Sequence, residues 1–405
     1  MFPSKMFSIS KSSYSICLLV LSIFLCLRQG TAQVVLSDQA EISILTCSKG
    51  DDLYNTFGHT GIRVKDDLNN LDIIFNYGMF SFGGSSWRDQ TEFGVKFARG
   101  KLEYWLGTQS FQSFMRSYEE QERWVYAQVL NLDASQKQQL TNALFVNYEP
   151  ENRAYQYDFF FDNCSSRVRD MIESAVGPVF GEQGAAIYEL TDQSFIDLID
   201  PYIVHSPWLD LGMDVMLGLP SSRKASNYEF MFLPYHLKEQ FSYAEGLVKE
   251  EYMLLDMPDR TIGAASFSWK SPIMLFSLMF IIVAALSYRN WKKSVHWFFL
   301  DRLFLFVSGL MGCLFLFMWI GTDHLPAHAN LNIFWAFPVN IIALFFVKNN
   351  KWQIYFKLIA GLCGFIFLAW FLNPQEYHYS ILPLVAMLMI RHLKLADFMD
   401  KQIMQ

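Results

Sequence analysis

Residues 157–170 read YDFFFDNCSSRVRD, which places a cysteine between an aromatic run and a helix-forming segment. Asn163 is a suitable N-cap, the following residues continue with helical periodicity, and Gly177 supplies a stop. The pattern therefore predicts a helix that begins at Cys164 and ends before Gly177. Unpaired N–H groups and the helix dipole favour a negative charge in the first turn, so this position lowers the pKa of a thiol.

The surrounding sequence predicts a mixed α+β domain. Alternating apolar positions and many β-branched or aromatic residues are typical of strands. The segments predicted as strands are EISILTC (41–47), HTGIRVKD (59–66), IIFNYGMFSF (73–82), residues 101–106 and the end of residues 110–132. The segments predicted as helices are the start of residues 110–132, a helix capped by Asp133 and stopped at Pro150, SFIDLID (194–200) and residues 235–255.

Composition divides the chain into two halves of different character. The 405 residues are 52% hydrophobic with a net charge of -7, but residues 33–270 carry roughly 19 basic against 34 acidic residues, and the rest is basic. An acidic domain argues against nucleic acid as a partner.

The N-terminus has the pattern of a secretory signal. Lys5 and Lys11 precede an apolar run at residues 16–27, and the small residues Gly30 and Ala32 suit a signal peptidase. We therefore predict a signal peptide over residues 1–32; the alternative is a retained N-terminal anchor.

After Lys270 the chain becomes a series of apolar runs. The five predicted membrane spans are residues 272–288, 303–321, 331–347, 354–372 and 379–390. These spans predict an all-α transmembrane domain of five helices over residues 271–405. The exported, catalytic domain is then expected to cover residues 33–270.

Basic residues between the spans predict the orientation in the membrane. They fall in alternate loops and at the tail: Arg289, Lys292, Lys293, Lys348, Lys351, Arg391 and Lys394. The positive-inside rule assigns these segments to the cytoplasm, which leaves the loops 322–332 and 373–379 on the outer side with the exported domain. The chain is thus expected in the inner (cytoplasmic) membrane as a multi-pass protein with a periplasmic domain.

The two outer loops contain polar residues that include Asp323, His324 and His378. They indicate either a solvated loop or a polar site at the bilayer surface for a lipid headgroup. The spacing of the histidines matches no strong metal pattern, so we predict no metal and no cofactor.

Cys164 itself has three interpretations. Cys47 and Cys164 both lie in residues 33–270, so the first interpretation is a disulfide between them. The second interpretation is a buried, inert thiol, and the third is a catalytic nucleophile. A nucleophile needs a base and a group that orients it. His59 opens a predicted strand and Asn76 lies in the next one, so these residues are the candidate base and orienting group.

Four motifs in order resemble a known family. They are SILTCSKGDDLYNTFGHTGIRVKD (43–66), IIFNYGMFSF, LEYWL (102–106) and ENRAYQYDFFFDNCSSRVRD (151–170). Together they resemble the periplasmic domain of the Bacteroidota lipoprotein N-acyltransferase (Lnb) family, and TDHLPAHANLN (322–332) with PVNIIALF (338–345) resembles that family's membrane domain. The order of His before Cys is also similar to circularly permuted papain-like folds of the lecithin:retinol acyltransferase and NlpC/P60 classes. The fold expected is thus a permuted papain-like exported domain of class α+β, followed by the five-helix transmembrane domain.

The resemblance implies a reaction and its residues. Cys164 would take an acyl chain from a phospholipid donor as a thioester, with His59 as general base and Asn76 as the orienting group. The acceptor would be the α-amine of a diacylglyceryl lipoprotein. Residues expected to shape the site or contact substrate are Asp162, Asn163, Arg63, Arg167, Tyr54, Tyr77, Asp323 and His324, with ordinary ion pairing as the alternative for the two arginines.

Two other functions fit the same residues. A phospholipase or a peptidoglycan-peptide cysteine hydrolase would use the same nucleophile. A non-enzymatic envelope scaffold would instead have a Cys47–Cys164 disulfide.

Overall fold

The strands of the exported domain form one large antiparallel sheet. The structure is a computed structural model that describes residues 34–179, 187–259, 268–292 and 298–403, so the predicted signal peptide lies outside the described residues. The strands are β1 (Glu41–Cys47), β2 (His59–Asp66), β3 (Leu71–Met79), β4 (Glu103–Ser110), β5 (Val125–Leu130), β6 (Ala154–Gln156), β7 (Leu190–Ser194), β8 (Lys224–Ser226) and β9 (Val248–Leu255). Seven of them form the sheet in the order β6-β4-β3-β2-β1-β5-β9, and β7 pairs separately with β8. The strands predicted from alternation are confirmed, with β4 a few residues later than expected.

Helices cover both faces of this sheet. In chain order they are α1 (Trp87–Ala98), α2 (Phe111–Glu120), α3 (Ala134–Tyr148), α4 (Cys164–Val176), α5 (Phe195–Ile203), α6 (Pro207–Met216), α7 (Leu219–Ser222), α8 (Asn227–Phe230) and α9 (Pro234–Tyr243). Leu144 of α3 and Val168 of α4 are buried against Ile44 on one face, whereas Phe114 of α2 is buried with Leu45 on the other. The sheet is therefore the middle layer, and α4 brings its first residue beside the beginning of β2 and the end of β3.

Helix caps confirm two predictions made from sequence. Asp133 caps α3 with a reciprocal capping box, and Asn163 does the same for α4, which ends at Gly177 with φ of 92°.

One predicted helix is wrong in its second half. Residues 235–255 were expected to be helical, but α9 ends at Tyr243 and the chain turns at Gly246, where φ is 75°. The remainder becomes β9 because its backbone pairs with β5, and tertiary pairing outweighs local helix propensity. Lys249, Glu250 and Glu251 are exposed on this edge strand, which discourages pairing with other chains.

The C-terminal part is helical and includes three candidate membrane spans. Its helices are α10 (Pro272–Lys292), α11 (Phe298–Ile320), α12 (Asn340–Ala343), α13 (Gln353–Leu368) and α14 (Ile381–Ile403). Among the described residues, the helices long and apolar enough to span a membrane are Pro272–Arg289, Phe298–Ile320 and Asn350–Leu368.

The third predicted span is not a continuous helix. Residues 331–347 form a 3-10 turn at Leu331–Phe334 and the four-residue α12, with Pro338 between them. Proline lacks the N–H that a continuous helix needs at that position. Asn340 in this segment is buried and hydrogen-bonds the side chains of Ser308 and Tyr355. These bonds fasten the irregular segment to α11 and α13, as is required where non-helical backbone lies among apolar helices.

Arg391 and Lys394, expected in a tail after the last span, lie inside a helix instead. Both lie in α14, which continues well beyond the predicted span, and they are 2% and 5% exposed. Arg391 donates from Nε to Asp301 of α11 over 2.8 Å and from Nη1 to Ser287 of α10 over 2.9 Å. A buried charge of this kind requires such partners, and through them Arg391 links α14 to α10 and α11.

The exported domain is seated on the two outer loops of the membrane domain. The Asp323 N–H donates to the Arg99 carbonyl over 2.9 Å, and the Gly218 N–H donates to the Pro326 carbonyl over 2.8 Å. The Gln375 side chain donates to the Leu217 carbonyl over 3.2 Å. These contacts agree with the predicted placement of both loops on the side of the exported domain.

Candidate active site

His59 and Asn76 are brought together by the register of β2 and β3. Gly61 of β2 lies opposite Asn76, and a Cβ on Gly61 would lie 3.0 Å from the Asn76 Oδ1. The glycine thus leaves room for the Asn76 side chain to reach along the sheet to His59. The His59 Nε2 and Asn76 Oδ1 are 3.1 Å apart. Because an amide oxygen only accepts, Nε2 carries the proton and Nδ1 is left for the thiol.

Cys164 is the first residue of α4, held in place by its cap. The Asn163 Oδ1 accepts from the N–H groups of Ser165 and Ser166 over 2.9 and 3.0 Å. Its Nδ2 donates to the carbonyls of Phe159 and Phe232 over 2.9 and 2.8 Å. Asn163 is buried, so the cap also fixes the loop before α4 against a distant part of the chain.

The surroundings of Cys164 favour its thiolate. Burial raises the pKa of Cys164, but the positive charge and hydrogen bond of His59, the Thr60 backbone N–H and the Ser165 hydroxyl outweigh burial, so the pKa lies below its usual value. The thiol is half-buried and is free. A nucleophile needs the combination of partial access and lowered pKa.

Cys47 behaves differently from Cys164. It is a free, fully buried thiol, and burial raises the pKa of Cys47 to about 12. The structure therefore has no Cys47–Cys164 disulfide, which contradicts the disulfide interpretation and the scaffold alternative that depended on it.

Two residues of the site were missed in the sequence. Gly78 has φ of 88°, a conformation that favours glycine, and it lies directly beside Cys164, because a Cβ there would be 3.8 Å from the Cys164 Cβ. Tyr155 is buried beside Gly78, and burial together with the charge of Cys164 raises the pKa of Tyr155, which keeps its hydroxyl protonated as a donor. A glycine or tyrosine within a strand gives no local signal of this proximity.

Asp162 and Arg167 form a brace behind the site. Arg167 donates from Nε and Nη2 to both carboxylate oxygens of Asp162 over 2.5 and 2.7 Å, and its guanidinium lies 3.8 Å from the centre of the Tyr155 ring. The backbones of Asp158 and Asp162 bond to each other in both directions over 3.0 Å. The pair shapes the loop that leads to α4 and supports Tyr155.

Three predicted residues have their contacts elsewhere. Arg63 is buried, pairs with both oxygens of Asp72 over 2.7 and 2.8 Å and lies over the Phe111 ring on the face covered by α2. Tyr77 is buried and donates to Asn147 over 2.6 Å, although its ring contacts Tyr155. Tyr54 is 66% exposed and donates to Asp52 over 2.9 Å.

Asp323 and His324 lie where the membrane domain meets the end of α1. The His324 Nε2 is 2.9 Å from the Phe97 carbonyl, and Asp323 is 3.5 Å from the Lys101 ammonium. From His324 a line of rings runs along α1 to Tyr157, on the segment that leads into Cys164 and α4. We call it the aromatic track; its members are His324, Phe97, Phe93, Phe80, Tyr104 and Tyr157, with successive ring centres 4.6 to 6.5 Å apart.

The fold and site define a membrane-anchored α+β domain with a thiol, an imidazole and an amide side by side. Residues 30–192 match the model of the Lnb N-terminal periplasmic domain, and residues 264–402 match that of the Lnb transmembrane domain. The chain belongs to the Lnb family and is a membrane protein with a periplasmic domain. No curated protein and no solved structure gives a significant match. The permuted papain-like fold therefore stays a prediction.

Proposed function

We propose that the protein is a lipoprotein N-acyltransferase of the inner membrane. It moves a fatty acyl chain from a phospholipid, through a thioester on Cys164, to the α-amine of a diacylglyceryl lipoprotein. The observation that carries the proposal is the thiol of lowered pKa at the start of α4, beside the His59–Asn76 pair, in a domain seated on membrane helices. Membership of the Lnb family supports this class of acceptor.

The first half-reaction acylates Cys164. His59 accepts the thiol proton, and the thiolate attacks the ester carbonyl of the phospholipid. In this mechanism the backbone N–H of Cys164 and the Tyr155 hydroxyl, whose raised pKa keeps it protonated, donate to the oxyanion that forms. The ester C–O bond then breaks, His59 returns the proton to the lysophospholipid oxygen, and the acyl chain stays on sulfur.

The second half-reaction transfers the chain to nitrogen. The neutral α-amine of the lipoprotein attacks the thioester carbonyl, and His59 takes a proton from the attacking nitrogen. The C–S bond breaks, the thiolate of Cys164 is restored, and the product is an amide. Asn76 acts through His59 by holding its Nε2–H, so it is a positioning residue.

A lipid donor is supported by the apolar surfaces between the membrane and the site. Helix α1 buries none of its residues, and its Trp87 is 75% exposed, as suits a helix that lies on a bilayer surface. The aromatic track begins at its end. Such a surface would serve an acyl chain and offers little to a peptidoglycan peptide.

An apolar cavity of about 730 Å³ also lies among the membrane helices, with neither Cys164 nor His59 in its lining. Its volume falls in the range of roughly 300–1,000 Å³ typical of ligand pockets. Residues of four helices line it: Trp208 and Leu211 of α6, Phe276 of α10, Leu303 and Phe304 of α11, and Leu384 of α14. Acyl chains of a bilayer lipid match this lining.

The decisive experiment supplies both substrates to the purified, full-length protein in phospholipid vesicles. A diacylglyceryl lipopeptide with a free α-amine is added, and mass spectrometry follows the acyl-enzyme, the lipopeptide and free fatty acid. We expect a chain on Cys164 with phospholipid alone and a triacylated lipopeptide when the acceptor is present. Cys164→Ser should abolish both products, whereas Cys313→Ser, a matched change at an exposed cysteine of α11, should leave them unchanged. Release of fatty acid without lipopeptide acylation would establish a phospholipase instead.

The pH dependence of thiol alkylation tests the role of His59 independently of substrates. Because His59 lowers the pKa of Cys164, the thiolate forms at lower pH in the wild type than in His59→Ala. The alkylation profile of His59→Ala should move to higher pH. A thiol pKa that is higher by about one pH unit leaves about tenfold less thiolate at any pH below the pKa, and the alkylation rate falls in proportion. An unchanged profile would remove His59 from the proposed mechanism.

A further inference from the structure

Three chelating side chains meet where α6 contacts the second outer loop. Asp210 and Asp214 lie one turn apart on α6, and His378 lies just before α14. One ligand atom from each residue lies within 4.8 Å of the other two, and all three residues are at most 6% exposed. Asp200 of α5 is close enough for its charge to act on Asp214.

The negative charge of this cluster is poorly compensated. Within the described chain, the buried Oδ1 of Asp214 has no hydrogen-bond partner, and the same holds for the buried Oδ1 of Asp200. The nearby Lys224 is 46% exposed and pairs with Asp197 and Glu376 over 3.5 and 3.7 Å, at the rim of the cluster. A buried carboxylate is strongly destabilising unless a positive charge or donors meet it.

His378 orients a carboxylate and leaves the coordination to oxygen atoms. Its Nδ1 accepts the Ser380 N–H over 3.1 Å, so its proton is on Nε2. The Nε2 then donates to the Asp210 Oδ2 over 3.2 Å. Groups that hold a ligating carboxylate in this way are common around metal sites. The free donor atoms of the cluster are therefore carboxylate oxygens, which hard cations prefer.

We propose that Asp210 and Asp214 bind a calcium ion between the exported domain and the membrane domain. Calcium accepts carboxylate oxygens in flexible geometry and completes its shell with water or backbone carbonyls, which suits two carboxylates one turn apart on α6. The bound ion would hold α6 in place through Asp210. Because Asp210 also accepts a hydrogen bond from His378, the ion would link α6 to the membrane domain. The helix it fixes also carries Trp208 and Leu211 of the apolar cavity.

Protons are the competing way to neutralise the cluster. Burial and the charges of Asp200 and Asp210 raise the pKa of Asp214 to about 9, so without a cation this carboxyl would bind a proton at neutral pH. Metal content and stability separate the two explanations, and neither readout depends on acyl transfer.

The test uses the full-length protein in detergent. Elemental analysis of wild type should find about one calcium per chain after dialysis into dilute CaCl2. A chelator should lower Tm by about 5 °C, and CaCl2 should restore it. Asp214→Asn should bind no calcium, and its Tm should not respond to chelator. In chelator, its Tm should be at least as high as that of wild type, because a buried charge is gone. The control Asp192→Asn, at an exposed residue, should keep the bound calcium and the response of Tm to chelator.

Two outcomes would overturn the proposal. A wild-type Tm that responds neither to chelator nor to CaCl2, with no calcium bound, means that protons neutralise the cluster. Stabilisation by MgCl2 but not by CaCl2 would refute the choice of ion. Both measurements use the wild type alone, so a variant that fails to fold does not affect them.

Discussion

Replacing Asn163 with alanine should destabilise the exported domain more than the loss of an ordinary helix cap. The side chain makes four hydrogen bonds, two to N–H groups of the first turn of α4 and two to the carbonyls of Phe159 and Phe232. Alanine removes all four at a residue that is 3% exposed. Water cannot readily replace these partners, so the full cost of unpaired groups applies.

The magnitude follows from counting these groups. Loss of the cap costs about 1 kcal/mol. Each of the two carbonyls left without a donor costs about 1–3 kcal/mol. With about 2 kcal/mol for each carbonyl the sum is about 5 kcal/mol, which corresponds to a fall in Tm of about 15 °C for a domain of this size.

The assay compares Asn163→Ala with a simpler cap by thermal unfolding of the full-length protein. Ser110 is exposed and caps α2 by accepting one bond from the Ser113 N–H over 3.3 Å, so Ser110→Ala should lower Tm by only about 3 °C. Asn163→Asp keeps the acceptor oxygen of the cap, so its Tm should lie between those of Asn163→Ala and Ser110→Ala. Its added carboxylate should also slow alkylation of Cys164, because a nearby negative charge raises the pKa of a thiol. Equal losses in Asn163→Ala and Ser110→Ala would refute the reasoning.

Two further substitutions test the approach to the thiol. Gly58→Ala should lower Tm by several degrees and slow alkylation of Cys164. The reason is that φ at Gly58 is 87° and the new Cβ would lie 2.7 Å from the Cys47 carbonyl oxygen, next to His59. The control is Gly94→Ala in helix α1, which has open space around it and should leave Tm unchanged or raise it. Tyr155→Phe should reduce the rate of acyl-enzyme formation about 10²-fold with little change in Tm, as expected for an oxyanion donor; an unchanged rate in single-turnover mass spectrometry would exclude that role.

The parts of the site that could be predicted are those with local signals. Asn163, Cys164 and Gly177 mark a helix start, its first residue and its end within one short segment. The alternation of β2 fixes the position of His59 at the beginning of a strand. These features depend on neighbours in sequence, so no knowledge of tertiary contacts was required.

The features that were missed depend on distant contacts. β9 has a helix-compatible sequence and becomes a strand because β5 offers it an edge. Tyr155 and Gly78 lie on different strands and meet near Cys164 only in the folded sheet. Asp210 and Asp214 of α6 come together with His378, although Asp210 and His378 are 168 positions apart in the sequence, which no motif spacing could indicate.

The position of β9 at the edge of the sheet has a consequence for how the protein is made. β5 has β1 on one side and β9 on the other, so its second edge stays unpaired until residues up to Leu255 have been exported. An unpaired β edge invites association with other chains. Among the residues that the structure describes, the next helix after β9 is the first candidate span, Pro272–Arg289. During synthesis, the nascent chain therefore completes its sheet shortly before its first candidate span emerges, so the edge of β5 is covered by the time the chain is anchored in the bilayer.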